Sequence, residues 1–328
     1  MPPDLEVHAC SRRCSQSERV IAHGAMRSQV AGLEAVLADG SVLTRMSGLR
    51  KDNTGYDLVG LLAGSEGTLA VVTQVRVQLV PLLTERAVAL LALPHVGAAL
   101  RALAEVKRLA PDLAAAELFL AEGLALVREH LGLAAPMDVA AAAYLLVEIA
   151  DRTDPTDRLL DAVGEIAETS DAVLDAVIAT DAPTRHRLWQ YREAHTESIN
   201  AAGIPVKLDV AVPLGVLDEA VQRLPQVVRE VAPDARTILF GHVNEGNLHV
   251  NILGAAGREG RAERVTDAVL RLVISYGGSI SAEHGIGRAK VEWLPLARSQ
   301  TEIDAMRRIK RAWDPDSLLN PGVVLPLR

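Results

Sequence analysis

The segment from Gly241 to His249, GHVNEGNLH, sets two imidazoles on either side of a polar, glycine-containing turn. Thr237-Ile238-Leu239-Phe240 precedes it and Val250-Asn251-Ile252-Leu253 follows; both flanks are strand-like, so the whole reads as a β-hairpin. With the turn centred on Glu245 and Gly246, His242 and His249 stand directly opposed on one face, their Cβ atoms roughly 5 Å apart. Two imidazoles at that separation either share a divalent ion or make an ordinary polar sheet face. Asn251 falls on the same face. A third candidate ligand comes from SISAEHGIGRAK, residues 279–290, where Glu283-His284 precedes a Gly-x-Gly turn. A His, His, Glu set with an open position suits zinc or a similar ion acting as a Lewis acid.

Two further groups of residues could bind ligands. GSEGTLA, residues 64–70, is a glycine-rich loop leading into a strand. It lacks the Gly-Lys-Ser/Thr ending of a P-loop, and a strand instead of a helix follows it, which sets aside a dinucleotide fingerprint. Gly64 and Gly67 carry no Cβ, so a flat ligand or a pyrophosphate could lie against the backbone there; turn-making is the other use of such glycines. Arg192 and Thr196 are spaced i, i+4 on a helical segment, and Lys207 projects from the following strand. Together they would form a carboxylate cradle; separately they are a solvated helix face and an edge lysine.

The elements that must carry these residues are legible. QVAGLEAVLADGSVL (29–43) reads as two strands joined at Ala38-Asp39-Gly40, and Asp57 to Leu62 as a short helix. Val75, Val77 and Leu79 alternate with Gln74, Arg76 and Gln78, as in a half-buried strand closed by Pro81. Residues 87–94 and 141–150 read as strands, each followed by a helix, over Val96 to Leu109 and Thr156 to Thr169. Asp181 starts one long helix that Gly203 stops. In IPVKLDVAVP (204–213), Val206, Leu208, Val210 and Val212 face one way, with Lys207 and Asp209 the other. Strands separated by helices, with hairpin-like steps and no repeat, predict an α+β fold: a largely antiparallel sheet covered by helices.

Bulk properties bound the function. The 328 residues suffice for about two domains. With 49% hydrophobic residues and 23% charged, the composition is globular, and a net charge of -8 argues against a nucleic-acid surface. No apolar run reaches membrane-spanning length, and the start of the chain lacks a signal-peptide core, so cytoplasmic residence is the default expectation. Cys10 and Cys14 have no second cysteine pair to complete a metal site and read as incidental thiols in a solvated tail.

Six segments taken in order, KDNTGYDL, GSEGTLAVVT, LWQYREAHTESI with PVKLDVAVP, GHVNEGNLHVNI, SAEHGIGRAK and DPDSLLNPG, resemble the FAD-linked 2-hydroxy-acid oxidoreductases of the vanillyl-alcohol oxidase fold. That group includes D-lactate dehydrogenases, glycolate oxidase flavin subunits and D-2-hydroxyglutarate dehydrogenases. The resemblance runs from about residue 18 to the C-terminus. It implies that His242, His249 and Glu283 bind a divalent metal, zinc or manganese, and that His284 is the general base. It implies that Arg192, Thr196, Lys207 and Asn251 hold the substrate, and that Gly64, Ser65, Glu66, Gly67, Val72 and Asn320 lie against FAD. The implied reaction oxidises a D-2-hydroxy acid to the 2-oxo acid, with electrons passing to an acceptor protein or a quinone.

The resemblance also divides the chain: 1–17 an unmatched tail, 18–82 the second half of an FAD-binding domain, 83–310 a substrate (cap) domain with the metal site, and 311–328 a return to the flavin domain. Family members carry an N-terminal subdomain whose glycine-rich loop wraps the FAD pyrophosphate, and this sequence matches nearly none of it. The alternatives are therefore a flavoenzyme helped by a separate chain supplying that subdomain, and an inactive metal-binding fragment.

Overall fold

The apolar runs at 87–94 and 141–150 become neighbouring interior strands. In a computed structural model that describes residue 21 and residues 24–49, 51–170 and 172–327, the chain forms two sheets. Cys10, Cys14 and the rest of segment 1–17 lie outside the described residues. The larger sheet has seven strands in the order β7-β4-β6-β5-β9-β10-β8. They are β4 (Glu85–Leu93), β5 (Leu113–Leu120), β6 (Ala143–Asp151), β7 (Asp175–Ala179), β8 (Val206–Ala211), β9 (Arg236–His242) and β10 (Asn247–Leu253), and each neighbouring pair is antiparallel.

Both faces of this sheet are covered, which is why β4 and β6 are apolar almost throughout and do not alternate. On one face Leu91, Leu145, Val147, Leu208 and Val210 pack against four helices: α2 (Val96–Leu109), α4 (Thr156–Thr169), α7 (Leu217–Val231) and α8 (Arg261–Ser275). On the other, Val88, Leu90, Phe119, Tyr144, Leu146 and Phe240 pack against α3 (Ala121–Leu131), α5 (Ala182–Glu193) and α6 (His195–Ala202). Leu208, Val210 and Val212 share one face while Lys207 and Asp209 turn to the other, as the strand period requires.

The single helix expected over residues 182–202 is instead two. Asp181 caps α5 by accepting from the Thr184 N–H at 2.7 Å. The helix then stops at Ala194, whose φ of -75° and ψ of -3° lie at the edge of helical space. The break is made by the local fold, without proline or glycine, and it lets the buried His195 ring reach back to the Arg192 carbonyl, Nδ1 to O 3.0 Å.

The smaller sheet is β2-β1-β3, with β1 (Val30–Val36), β2 (Val42–Arg45) and β3 (Val71–Val77). Its core is Leu33, Ala35, Leu62, Leu69 and Ala70, closed by α1 (Leu58–Leu62) and by Ile309 and Trp313 of α9 (Gln300–Trp313). The half-burial expected of β3 is not seen. All seven of its residues are exposed, and Leu79 beyond it is 84% exposed. Its alternation is that of a strand with a covered face, but no layer of the described residues lies over that face.

The contrast fixes an expectation for stability. Leu146→Ala, on a central strand with both faces covered, should cost about 2–5 kcal/mol in denaturant unfolding, whereas Val75→Thr on β3 should stay within about 0.5 kcal/mol.

Candidate functional site

The candidate residues gather on the three-helix face, at the β5-β9-β10-β8 end of the large sheet. The histidine hairpin forms, but in a different register from the expected one. Val243–Glu245 make a single 3₁₀ turn and Gly246 takes a left-handed φ of 68°. His249 then opposes Phe240, not His242. The shift is of two residues, so both imidazoles stay on one face; a shift of one would have parted them. His242 and His249 face each other Nε2 to Nε2 at 3.4 Å, and Glu283 Oε1 lies 3.5 Å from His242 Nε2. One ligand atom from each of His242, His249 and Glu283 fits within a 4.8 Å span.

Two acids that sequence reasoning left without a role hold this arrangement. Glu117, fully buried on β5 directly opposite His242, approaches the Nδ1 of that ring with Oε1 at 2.7 Å. Its other oxygen accepts from Arg192 Nε at 2.7 Å, and Nη2 lies 2.7 Å from the same oxygen in the ion pair. Asp209, 1% exposed on β8 opposite His249, accepts with Oδ2 from the backbone N–H groups of Glu283 at 2.7 Å and His284 at 3.0 Å. Its Oδ1 lies 3.6 Å from His249 Nδ1 and has no hydrogen-bond partner among the described residues. Each imidazole thus presents Nδ1 to a buried carboxylate and Nε2 to the space shared with Glu283, an orientation suited to metal-binding histidines. The signal for both acids was present: one carboxylate inside the otherwise apolar LAAAELFL, and one inside VKLDVAV, where only Lys207 is also polar.

Electrostatics agree with this geometry. Burial, reinforced by the charges of Arg192, His242 and His284, drives the His249 imidazole well below the ordinary histidine range, so it is neutral and ligand-ready near pH 7. Burial also pushes His242 down, but the Glu117 hydrogen bond and charge, with help from Glu283, outweigh it and the net direction is up. Burial raises Glu283 despite the neighbouring His242. The space between them offers two imidazole nitrogens and a carboxylate, a donor set that fits a divalent cation.

The remaining candidates fall into place unevenly. His284 is 65% exposed at the mouth of the site, its ring stacked over His249 with centroids 6.1 Å apart and its Nδ1 3.9 Å from Asp209 Oδ2. Arg192 is buried, with its guanidinium 4.7 Å above the Phe240 ring. Asn251 is buried on β10 opposite the exposed Lys207, so both share the histidine face. Thr196 lies beyond the break at Ala194 and is exposed; it does not share a continuous helix face with Arg192. A wall of rings, Tyr144, Phe119, His195, Phe240 and His249, spaced 4.9 to 5.5 Å, runs under the site and uses both phenylalanines of the chain. His195 within it is pushed down to about 3 by burial and by Arg192, so it stays neutral.

The glycine-rich loop is tied to the His284 loop. Glu66, in a left-handed conformation with φ 54°, accepts from the Ile286 N–H at 2.8 Å and the Gly287 N–H at 2.7 Å. Asn320 donates to the Glu66 carbonyl at 2.7 Å. Gly64 and Gly67 have φ of 90° and 68°, and a Cβ on Gly67 would meet Asn320 Nδ2 at 2.7 Å. Ser65 accepts from the Thr68 hydroxyl at 2.7 Å, and Val72 is exposed on β3.

With fold and site in view, comparison with known proteins places the chain in a class. Residues 82–324 match the family described as FAD linked oxidases, C-terminal domain, and the chain belongs to that family. It is 35% identical over 311 residues to the mitochondrial D-2-hydroxyglutarate dehydrogenase of Bos taurus, covering 94% of this chain and 56% of that protein. It is 32% identical to the D-2-hydroxyglutarate dehydrogenase of Stutzerimonas stutzeri (strain A1501), covering 93% of this chain and 67% of that protein. The chain thus spans just over half the length of its cattle relative. Among solved structures, p-cresol methylhydroxylase with substrate bound superposes with a TM-score of 0.66 at 13% identity, over 91% of this chain and 65% of that one. The 4-ethylphenol oxidase of Gulosibacter chungangensis does so with a TM-score of 0.66 at 16% identity, over 94% and 69%. These two likenesses concern the fold alone. No helix among the described residues is long and apolar enough to cross a membrane.

The Glu66 link makes a local prediction. Glu66→Ala should speed amide hydrogen exchange at Ile286 and Gly287 by at least about tenfold while leaving exchange in β6 unchanged.

Proposed function

We propose that this chain is the substrate-binding and metal-binding portion of an FAD-dependent dehydrogenase that oxidises a D-2-hydroxy acid, D-2-hydroxyglutarate first among them, to the 2-oxo acid. The observation that carries the reading is the convergence of His242 Nε2, His249 Nε2 and Glu283 within 4.8 Å, beside Arg192 held on the same buried carboxylate as His242. The names of the relatives support the substrate class.

In this reading His242, His249 and Glu283 hold the zinc or manganese ion, and the backbone of Gly64 to Gly67, with Asn320 behind it and Val72 alongside, faces the flavin. When bound, the ion supplies Lewis acidity to the substrate hydroxyl and the flavin supplies the hydride acceptor. Arg192, with Lys207 and Asn251 on the neighbouring strands and Thr196 at the rim, orients the substrate carboxylates. His284 takes the hydroxyl proton, at an imidazole stacked on His249 and steered by Asp209. Residues 18–82 and 311–328 are the flavin-facing part and 83–310 the substrate domain. The exposed valines of β3 supply the surface on which the remainder of a flavin domain would pack, from a longer form of this chain or from a separate one; an acceptor protein or quinone would then take the electrons.

Anaerobic mixing of the FAD-loaded protein with D-2-hydroxyglutarate, D-lactate and glycolate tests the reading. Bleaching of the flavin band by at least one of them is expected, with His284→Ala slowing it about 10²–10⁴-fold. Loaded protein that no 2-hydroxy acid bleaches, or a His284→Ala variant as fast as the parent, contradicts it.

A further inference from the structure

On the reading that His242, His249 and Glu283 hold a divalent ion, we propose that Glu117 is the positioning residue that joins the metal ligand and the substrate arginine into one unit, one carboxylate oxygen fixing His242 and the other Arg192. Glu117 serves neither as a ligand nor as a contact to substrate; it lies beneath both, with no exposed surface.

The division of its oxygens is what points to this role. A carboxylate present only to neutralise an arginine frequently takes the guanidinium in a fork, one N–H to each oxygen. Here the Arg192 Nε donates to Oε2 and Nη2 lies 2.7 Å from that same oxygen, while Oε1 is left for His242 Nδ1 at 2.7 Å. The pairing of Glu117 with His242 in the β5–β9 ladder sets the two side chains opposite each other, so the backbone register places the imidazole within reach of that oxygen. The consequence for the ring is fixed: with a hydrogen on Nδ1 directed to Oε1, Nε2 keeps its lone pair for the ion. For the guanidinium, the Nε and Nη2 edge is taken up, and the Nη1 side is the part left to meet a ligand carboxylate. Phe240, 4.7 Å below the guanidinium and 5.0 Å from the His249 ring, fixes the plane of Arg192 and gives it a second connection to the metal ligands. A movement of either ligand is therefore felt at the arginine.

Zinc binding separates this role from charge compensation. Titration calorimetry with Zn²⁺ is carried out on the full chain, on Arg192→Met, on Glu117→Gln/Arg192→Met, and on Glu117→Leu/Arg192→Met, in which the buried pair is replaced by apolar side chains and no charge is stranded. The parent and Arg192→Met should bind one ion. The Glu117→Leu/Arg192→Met protein should bind about 10–100-fold more weakly than Arg192→Met, whereas Glu117→Gln/Arg192→Met, which loses the charge but keeps an oxygen facing His242 Nδ1, should bind nearly as tightly as Arg192→Met. In the parent, the ¹⁵N resonance of Arg192 Nε–H should shift as Zn²⁺ is added. A folded Glu117→Leu/Arg192→Met protein that binds Zn²⁺ as tightly as Arg192→Met, or a Glu117→Gln/Arg192→Met protein that binds as weakly as the leucine variant, would overturn the inference while leaving the metal site standing, and so would an Arg192 resonance indifferent to the ion. A parent chain that takes up no Zn²⁺ would defeat the metal reading itself, and the inference with it.

Discussion

Everything about the candidate site depends on two carboxylates placed where carboxylates are expensive. Glu117 and Asp209 sit in strands of a sheet covered on both faces, at 0% and 1% exposure. An unpaired charge in such a place is disfavoured by several kcal/mol, so each must be met by donors that the fold holds in position. Around Glu117 these are His242 and Arg192; around Asp209 they are the backbone N–H groups of Glu283 and His284. The demand for donors thus fixes the His242 ring, the Arg192 guanidinium and the entry of the loop that carries Glu283 and His284. Lys290 completes the second cluster by donating to the Ile280 carbonyl at 2.9 Å and, at 3.4 Å, to that of Asp209.

The same two acids explain what the sequence revealed and what it hid. Helices 96–109 and 156–169 and the strand pattern of 206–212 were legible, because burial on one face imposes a simple period. His242, His249 and Glu283 were legible as candidates because residue type and turn chemistry mark them, and the fold brings one ligand atom of each within 4.8 Å of the others. The hairpin register was not: nothing in Asn244-Glu245-Gly246 announces a 3₁₀ turn, although the two-residue error happened to preserve the face. The break at Ala194 was hidden for a related reason, since no proline or glycine marks it and the cause is the packing of His195 between Phe119 and Phe240. Glu117 went unread because its partners lie 75 and 125 residues away along the chain.

The glycine-rich segment shows how distant parts of the chain act as one loop cluster. Glu66 joins residues 64–70 to the Ile286 and Gly287 amides, and Asn320 joins both to the C-terminal turn. That turn is itself clamped: buried Asp314 accepts from the N–H groups of Leu318 and Leu319, both at 2.8 Å, and Lys310 donates to the carbonyls of Thr68 and Leu319. The glycine-rich backbone is thereby held against the loop that carries Glu283 and His284. Among the described residues, the small sheet packs through Leu33 and Ala35 of β1, with Leu43 of β2 partly buried beside them, while β3 presents its valines outward.

The most direct measurement is anomalous diffraction from crystals of the protein soaked in zinc or manganese. The account predicts one peak in this site, about 2.0–2.2 Å from Nε2 of both His242 and His249 and from a Glu283 oxygen, with Glu117 and Asp209 on the far sides of the two rings. Soaked crystals with no peak there, or with an ion bound through Nδ1 of either ring, would contradict it.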